Sequence, residues 1–210
     1  MEKIPVRWYF DVISPYAYLH LKRFNELSAA LAIEFVPVLF AGLLKAWDTK
    51  GPAELPAKRS HTYRQCVWLA ALHGIPFTMP PRHPFNPLAV LRLLIARGAQ
   101  PADIHTVFDF IWGQGRDPEA EWSALHEALQ VADAAPLIAD PEVKAKLVQN
   151  TERAVAAGVW GVPTFEIRGQ LFWGGDTLEW MNAFINNPAL FDAPGMRRAD
   201  STGAGVVRRK

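Results

Sequence analysis

The order of elements in residues 4–40 constrains the fold more than any other feature of the chain. Ile4 to Phe10 is an apolar, aromatic run of strand type, and it leads almost at once into Ser14-Pro15, a helix start. Ser14 to Leu31 carries helical periodicity, with Tyr18, Leu21, Leu27 and Leu31 among its apolar positions. Ala32 to Phe40 reads as a second strand. Strand, helix and strand spaced this closely make a βαβ unit, which implies a parallel pair and a right-handed crossover.

The middle of the chain changes character. From Ala41 to about Ala156 helices alternate with loops and no good strand is found. Helices are predicted over Lys58–His73, Pro87–Arg97, Asp103–Gly113, Glu121–Leu129 and Pro141–Ala157. Pro76 to Pro87 holds five prolines and reads as an irregular connection. Strands return at Thr164–Arg168 and Gln170–Trp173, joined at Arg168-Gly169. Asp176-Thr177-Leu178-Glu179 then reads as a helix start, with Asp176 as cap and Glu179 three residues on. From Ala193 the chain is rich in Gly, Ala, Arg and Ser and is expected to be loose. The plan is α/β: a thioredoxin-like fold with a large all-helical domain inserted after the N-terminal βαβ unit. Residues 1–40 and 157–192 form the discontinuous thioredoxin-like domain, 41–156 the insert and 193–210 a flexible tail.

Charge and cysteine usage exclude several functions. A net charge of +1 argues against general nucleic-acid binding. One cysteine, Cys66, forbids an internal disulfide and thiol–disulfide cycling. Six histidines show no ligand spacing on a shared helix face, so no metal is assigned. Cys66 lies in an apolar helical stretch and reads as a buried structural thiol. Arg197-Arg198 and Arg208-Arg209-Lys210 read as solvated charge. The N-terminus has no secretory pattern and no apolar run reaches the ~20 residues of a membrane span, so a cytoplasmic protein is expected.

Three motifs carry the chemistry. Ser14-Pro15-Tyr16-Ala17 stands where a strand becomes a helix, a place where unpaired N–H groups favour an anion. Thioredoxin-like redox proteins put the first cysteine of Cys-x-x-Cys at this corner; here both sulfurs are missing. The corner therefore suits a hydroxyl that steadies the thiolate of a bound molecule, although Ser before Pro is also an ordinary helix cap. Gly161-Val162-Pro163-Thr164 before a strand is the proline bend of such folds, where backbone groups can pair with an extended peptide; its isomer is not legible from sequence. Gly174-Gly175-Asp176 allows close backbone approach, and Asp176 can cap a helix, bind a ligand ammonium, or both.

In this order the motifs resemble the 2-hydroxychromene-2-carboxylate isomerase family, kin of kappa-class glutathione transferases. The likeness runs from Trp8 to about Phe191, and Phe10-Asp11, Phe85-Asn86 and Arg92 also fit it. The resemblance implies glutathione as cofactor, with Ser14 catalytic and hydrogen-bonded to its sulfur. It implies that Val162 and Pro163 meet the cysteinyl segment, and that Gly175 and Asp176 hold the γ-glutamyl end. Lys58 matches a cofactor-contacting lysine. A tyrosine usually helps there, so either His61 substitutes for it or Tyr63 is displaced. Asn86 is a candidate on the substrate side. The implied partners are glutathione, a small aromatic carboxylate and a second copy of the chain in a homodimer. A kappa-like transferase or peroxidase, and a non-catalytic thioredoxin-like binding module, are the alternatives.

Overall fold

A computed structural model describes residues 3–206, which places Arg208, Arg209 and Lys210 outside the described residues. β1 (Ile4–Phe10) runs parallel to β2 (Leu31–Pro37) and antiparallel to β3 (Thr164–Ile167), which pairs antiparallel with β4 (Gln170–Trp173). The sheet order is β2-β1-β3-β4. The strand period of two separates two faces. Val6, Trp8 and Phe10 point into the main core; Tyr9 joins Val36, Val38 and Leu43 in a smaller cluster on the other side. Trp8 is fully buried, stacks on Phe10 at 4.7 Å and meets the edges of Phe24 and Phe35.

α1 (Pro15–Leu21) is shorter than the periodicity predicts. The chain leaves the helix after two turns because Phe24 drops into the core against Trp8, Phe35 and Phe165, inside a short tight turn over Phe24–Glu26. Tertiary packing overrides helical propensity there. The second strand also ends early. Pro37 closes it, and the buried Asp11 carboxylate accepts Phe40 N–H at 2.9 Å, opening α2 (Phe40–Ala46) where strand was expected.

The middle is helical as expected: α3 (Pro56–Leu72), α4 (Leu88–Ala96), α5 (Pro101–Phe108), α6 (Trp122–Ala128), α7 (Ala135–Ala139) and α8 (Pro141–Ala156). α5 runs on into one wide π-turn, Asp109–Gly113, which puts Phe110, Ile111 and Trp112 inside. Phe108 packs on Trp8 and Phe10, so sheet and helices share one core. α9 (Leu178–Asn186) covers the sheet through Leu178, Met181 and Phe184. The tail expectation needs correction. Residues 194–200 form α10 (Pro194–Asp200), with proline in its first turn and the exposed Arg197 and Arg198 in its last, each where a helix end favours it. Among the described residues no helix is long and apolar enough to cross a membrane.

Candidate functional site

The corner between β1 and α1 is held from beneath by buried groups. Ser14 N–H donates to Asp11 C=O at 3.1 Å, and the Asp11 carboxylate accepts Ile13 N–H at 3.0 Å. Burial pushes the Asp11 pKa up to about 7, against the two backbone N–H donors that pull it down. Trp112 Nε1–H donates to Val12 C=O at 2.9 Å, and His83 Nε2 lies 2.8 Å from Ile13 C=O. Ser14 itself is buried and extended (φ −91°, ψ 114°), as a helix cap requires. Its Oγ accepts Ala17 N–H at 3.3 Å and donates to Val162 C=O at 3.4 Å. Both bonds are long, so the hydroxyl is free to turn to a better acceptor at little cost.

The Val162-Pro163 peptide is cis. Its bend is fixed by Thr164 Oγ1–H donating to Gly161 C=O at 2.7 Å and by Gly174 N–H donating to Pro163 C=O at 2.9 Å. Trp173 lies across the bend so closely that a Cβ on Gly161 would stand 2.5 Å from its Nε1. Gly174 has φ +95°, a conformation that L side chains rarely adopt. The following turn does not use Asp176 as a cap, contrary to one of the two sequence readings. Thr177 takes the cap position, its hydroxyl donates back to Gly174 C=O at 2.9 Å, and Asp176 stays exposed.

A cleft of about 590 Å³ runs along this turn, within the range of small-molecule sites. Val162, Pro163, Gly175 and Asp176 all line it, and Ser14 reaches it through Val162 C=O. Lys58 and His61 do not. Both are exposed on the first turns of α3; His61 lines a separate hollow with Ser60, Arg64 and Trp68. Asn86 is exposed, and its Oδ1 accepts Leu88 N–H at 3.0 Å, opening α4. Tyr63 is turned away from the cleft: its hydroxyl is 2.6 Å from His83 Nδ1.

The opposite wall comes from Tyr16, Thr62, Gln65, Leu69 and His73. Four of these were legible as a helix face, since 62, 65, 69 and 73 follow the i, i+3, i+7 rhythm. Tyr16 donates to Gln65 Oε1 at 2.6 Å; burial pushes its pKa up to about 12, and Asp176 is close enough to add to the rise. Arg23 joins α1 to the glycine turn, donating from Nη1 to Gly175 C=O at 3.1 Å while gripping Glu26. His20 borders the cleft floor. Trp8 Nε1–H donates to its Nδ1 at 3.1 Å, so the proton of the neutral ring sits on Nε2, which has no protein partner. Burial holds its pKa down at about 3. Cys66 is buried, and burial pushes its thiol up to about 12, where it is inert.

Residues 5–186 match the DSBA-like thioredoxin domain family. The chain is 26% identical over 182 residues to a 2-hydroxychromene-2-carboxylate isomerase of Pseudomonas putida, which spans 82% of this chain and 90% of that protein. It is 25% identical over 207 residues to glutathione S-transferase kappa 2 of Caenorhabditis elegans, spanning 87% and 92%. The solved structure of a 2-hydroxychromene-2-carboxylate isomerase shares the fold, with a TM-score of 0.77 and 23% identity over 95% of this chain and 100% of that one. The resemblance read from the motifs is thus matched by relatives along most of the chain. With the family match running through corner, helical insert and proline bend alike, the chain belongs to the DSBA-like thioredoxin domain family.

Proposed function

We propose that the protein is a glutathione-dependent isomerase that interconverts 2-hydroxychromene-2-carboxylate and trans-O-hydroxybenzylidenepyruvate. The observation that carries this reading is the Ser14 hydroxyl beside Val162 C=O, at the head of the cleft that Pro163, Gly175 and Asp176 also line. These residues fit the tripeptide. Ser14 offers a proton held only by a long bond, and the Val162 backbone suits an extended cysteinyl unit. A Cβ on Gly175 would meet nothing within 4 Å, so that backbone is open to a γ-glutamyl end, and the exposed Asp176 carboxylate suits its ammonium. Lys58 lies one turn before Thr62 on the same side of α3 and would reach the cofactor from the rim.

When bound, glutathione supplies a thiolate whose reversible addition to the conjugated double bond shifts the π pair to the carbonyl oxygen, lets the new single bond turn, and returns everything on expulsion. The chain's task is to keep that sulfur ionised. A thiol of pKa near 8.5 must be lowered by ~2 units, which takes ~2.7 kcal/mol. The charge-assisted bond from Ser14 contributes ~1.5–3 kcal/mol. With α1 only two turns long, the helix end adds little, and the serine carries most of the shift. Trp173, Leu69 and Tyr16 supply apolar walls for an aromatic carboxylate. A homodimer belongs to the same proposal: α3 leaves Val67, Trp68 and Leu72 more than half exposed, a patch that a second copy would cover.

A kappa-like transferase is the second reading, supported by the likeness to the Caenorhabditis elegans protein over 92% of its length. Chromatography of a reaction holding 2-hydroxychromene-2-carboxylate and glutathione separates the two. The isomerase reading expects trans isomer with glutathione conserved, and little of it from Ser14→Ala. A glutathione adduct would favour the transferase, and no product at all would overturn both.

A further inference from the structure

We infer that His83 is a positioning residue for Ser14, acting through the peptide bond that precedes the serine. This rests on the proposed role of Ser14. That peptide unit is pinned at both ends: its N–H, on Ser14, donates to Asp11 C=O at 3.1 Å, and its C=O, on Ile13, faces His83 Nε2 at 2.8 Å. A carbonyl only accepts, so Nε2 carries the proton and donates. In the neutral ring Nδ1 is then an acceptor, and Tyr63 Oη–H donates to it at 2.6 Å. The result is a directed chain, Tyr63 to His83 to Ile13, ending one residue before Ser14.

The pinning matters because the serine does not hold itself in place. Its own two hydrogen bonds are 3.3 and 3.4 Å long, so the backbone decides where Oγ stands. Rotation of the Ile13–Ser14 peptide plane would swing the serine Cβ, and the two bonds at its ends block that rotation. His83 is itself fixed by the edges of Trp112 at 5.3 Å and Phe85 at 5.9 Å. Burial lowers its pKa, which keeps the ring neutral and the chain in its one sense. The tyrosine that the corner's relatives would turn to the cofactor serves instead to orient the histidine.

The test is an ultraviolet titration of the thiol of bound glutathione, with turnover measured beside it. In His83→Phe the bound thiol is expected to titrate about one unit higher and kcat to fall about 10–100-fold, the usual cost of losing an orienting partner. The KM for glutathione is expected to move far less, because no atom of His83 touches the cleft lining. His83→Gln, which can donate and accept through one amide, is expected to recover most of the loss; Tyr63→Phe, which leaves the protein's core intact, is expected to show part of it. An unchanged thiol pKa and kcat in Tyr63→Phe and in whichever His83 variant folds would overturn the inference. Failure of the wild-type protein to bind glutathione would instead sink the proposed function, a separate outcome read before any variant is made.

Discussion

Three polar side chains beneath the corner do opposite electrostatic work. Asp11 and His20 are both fully buried without a charged partner, and burial favours the neutral form of each. For Asp11 the folded pKa, about 7, lies above the ordinary 3.8; its contribution to stability is full below pH 4 and is lost as pH rises toward 7. For His20 the folded pKa, about 3, lies below the ordinary 6.5; its contribution is full above that value and is lost as pH falls. Between roughly pH 4 and 6.5 the folded protein holds the Asp11 proton and the unfolded chain the His20 proton, so the two slopes cancel. Urea midpoints across this window should therefore differ in slope between the wild type and His20→Phe. The variant should lose stability relative to the wild type as pH rises, at up to about 1.4 kcal/mol per unit. Parallel profiles would show that His20 titrates like a solvated histidine. Ser14, by contrast, was legible from sequence because a Ser-Pro pair between strand and helix has a local meaning; Asp11 and His20 lacked any local signal, since their burial comes from the far end of the chain.

Elements were legible wherever local pattern and tertiary demand agreed. β1 and β4 fall where alternation put them, and five predicted helices appear within a few residues of their expected ends. The departures have particular causes: Phe24 ends α1, Asp11 opens α2, and Thr177 displaces Asp176 from the cap of α9. The proline bend shows how one element's shape depends on another's side chain. Gly161 lets the Trp173 indole lie against the chain beside Val162, with Trp160 at 5.9 Å closing the outer side. Gly161→Ala must push that indole off, since a Cβ would be 2.5 Å from Nε1. Trp173 is 49% exposed and can move, so the fold should survive with a loss on the order of 1 kcal/mol. The KM for glutathione should rise severalfold, because the wall beside Val162 has moved. A variant with unchanged KM would separate the indole from the cleft's function.

At the scale of the whole molecule the helical insert is part of the site's foundation. Trp112 reaches Val12 C=O across 100 residues of sequence, and His83 reaches Ile13 C=O across 70. Such reach explains what sequence could and could not say. The plan of a βαβ unit, a helical insert and a β-hairpin with a final helix is written in local pattern. Which tyrosine faces the cleft, Tyr16 rather than Tyr63, depends on how α3 turns against the corner, and no periodicity in an almost uniformly mixed helix declares it. The central claim is that Ser14 keeps a bound tripeptide's sulfur ionised, and calorimetric titration with glutathione at neutral pH, repeated in buffers of different ionisation heat, tests it most directly. Binding by the wild type should release most of a proton as the thiol ionises, and Ser14→Ala should bind with little release. No heat at millimolar glutathione, or equal proton release by both proteins, would contradict the account.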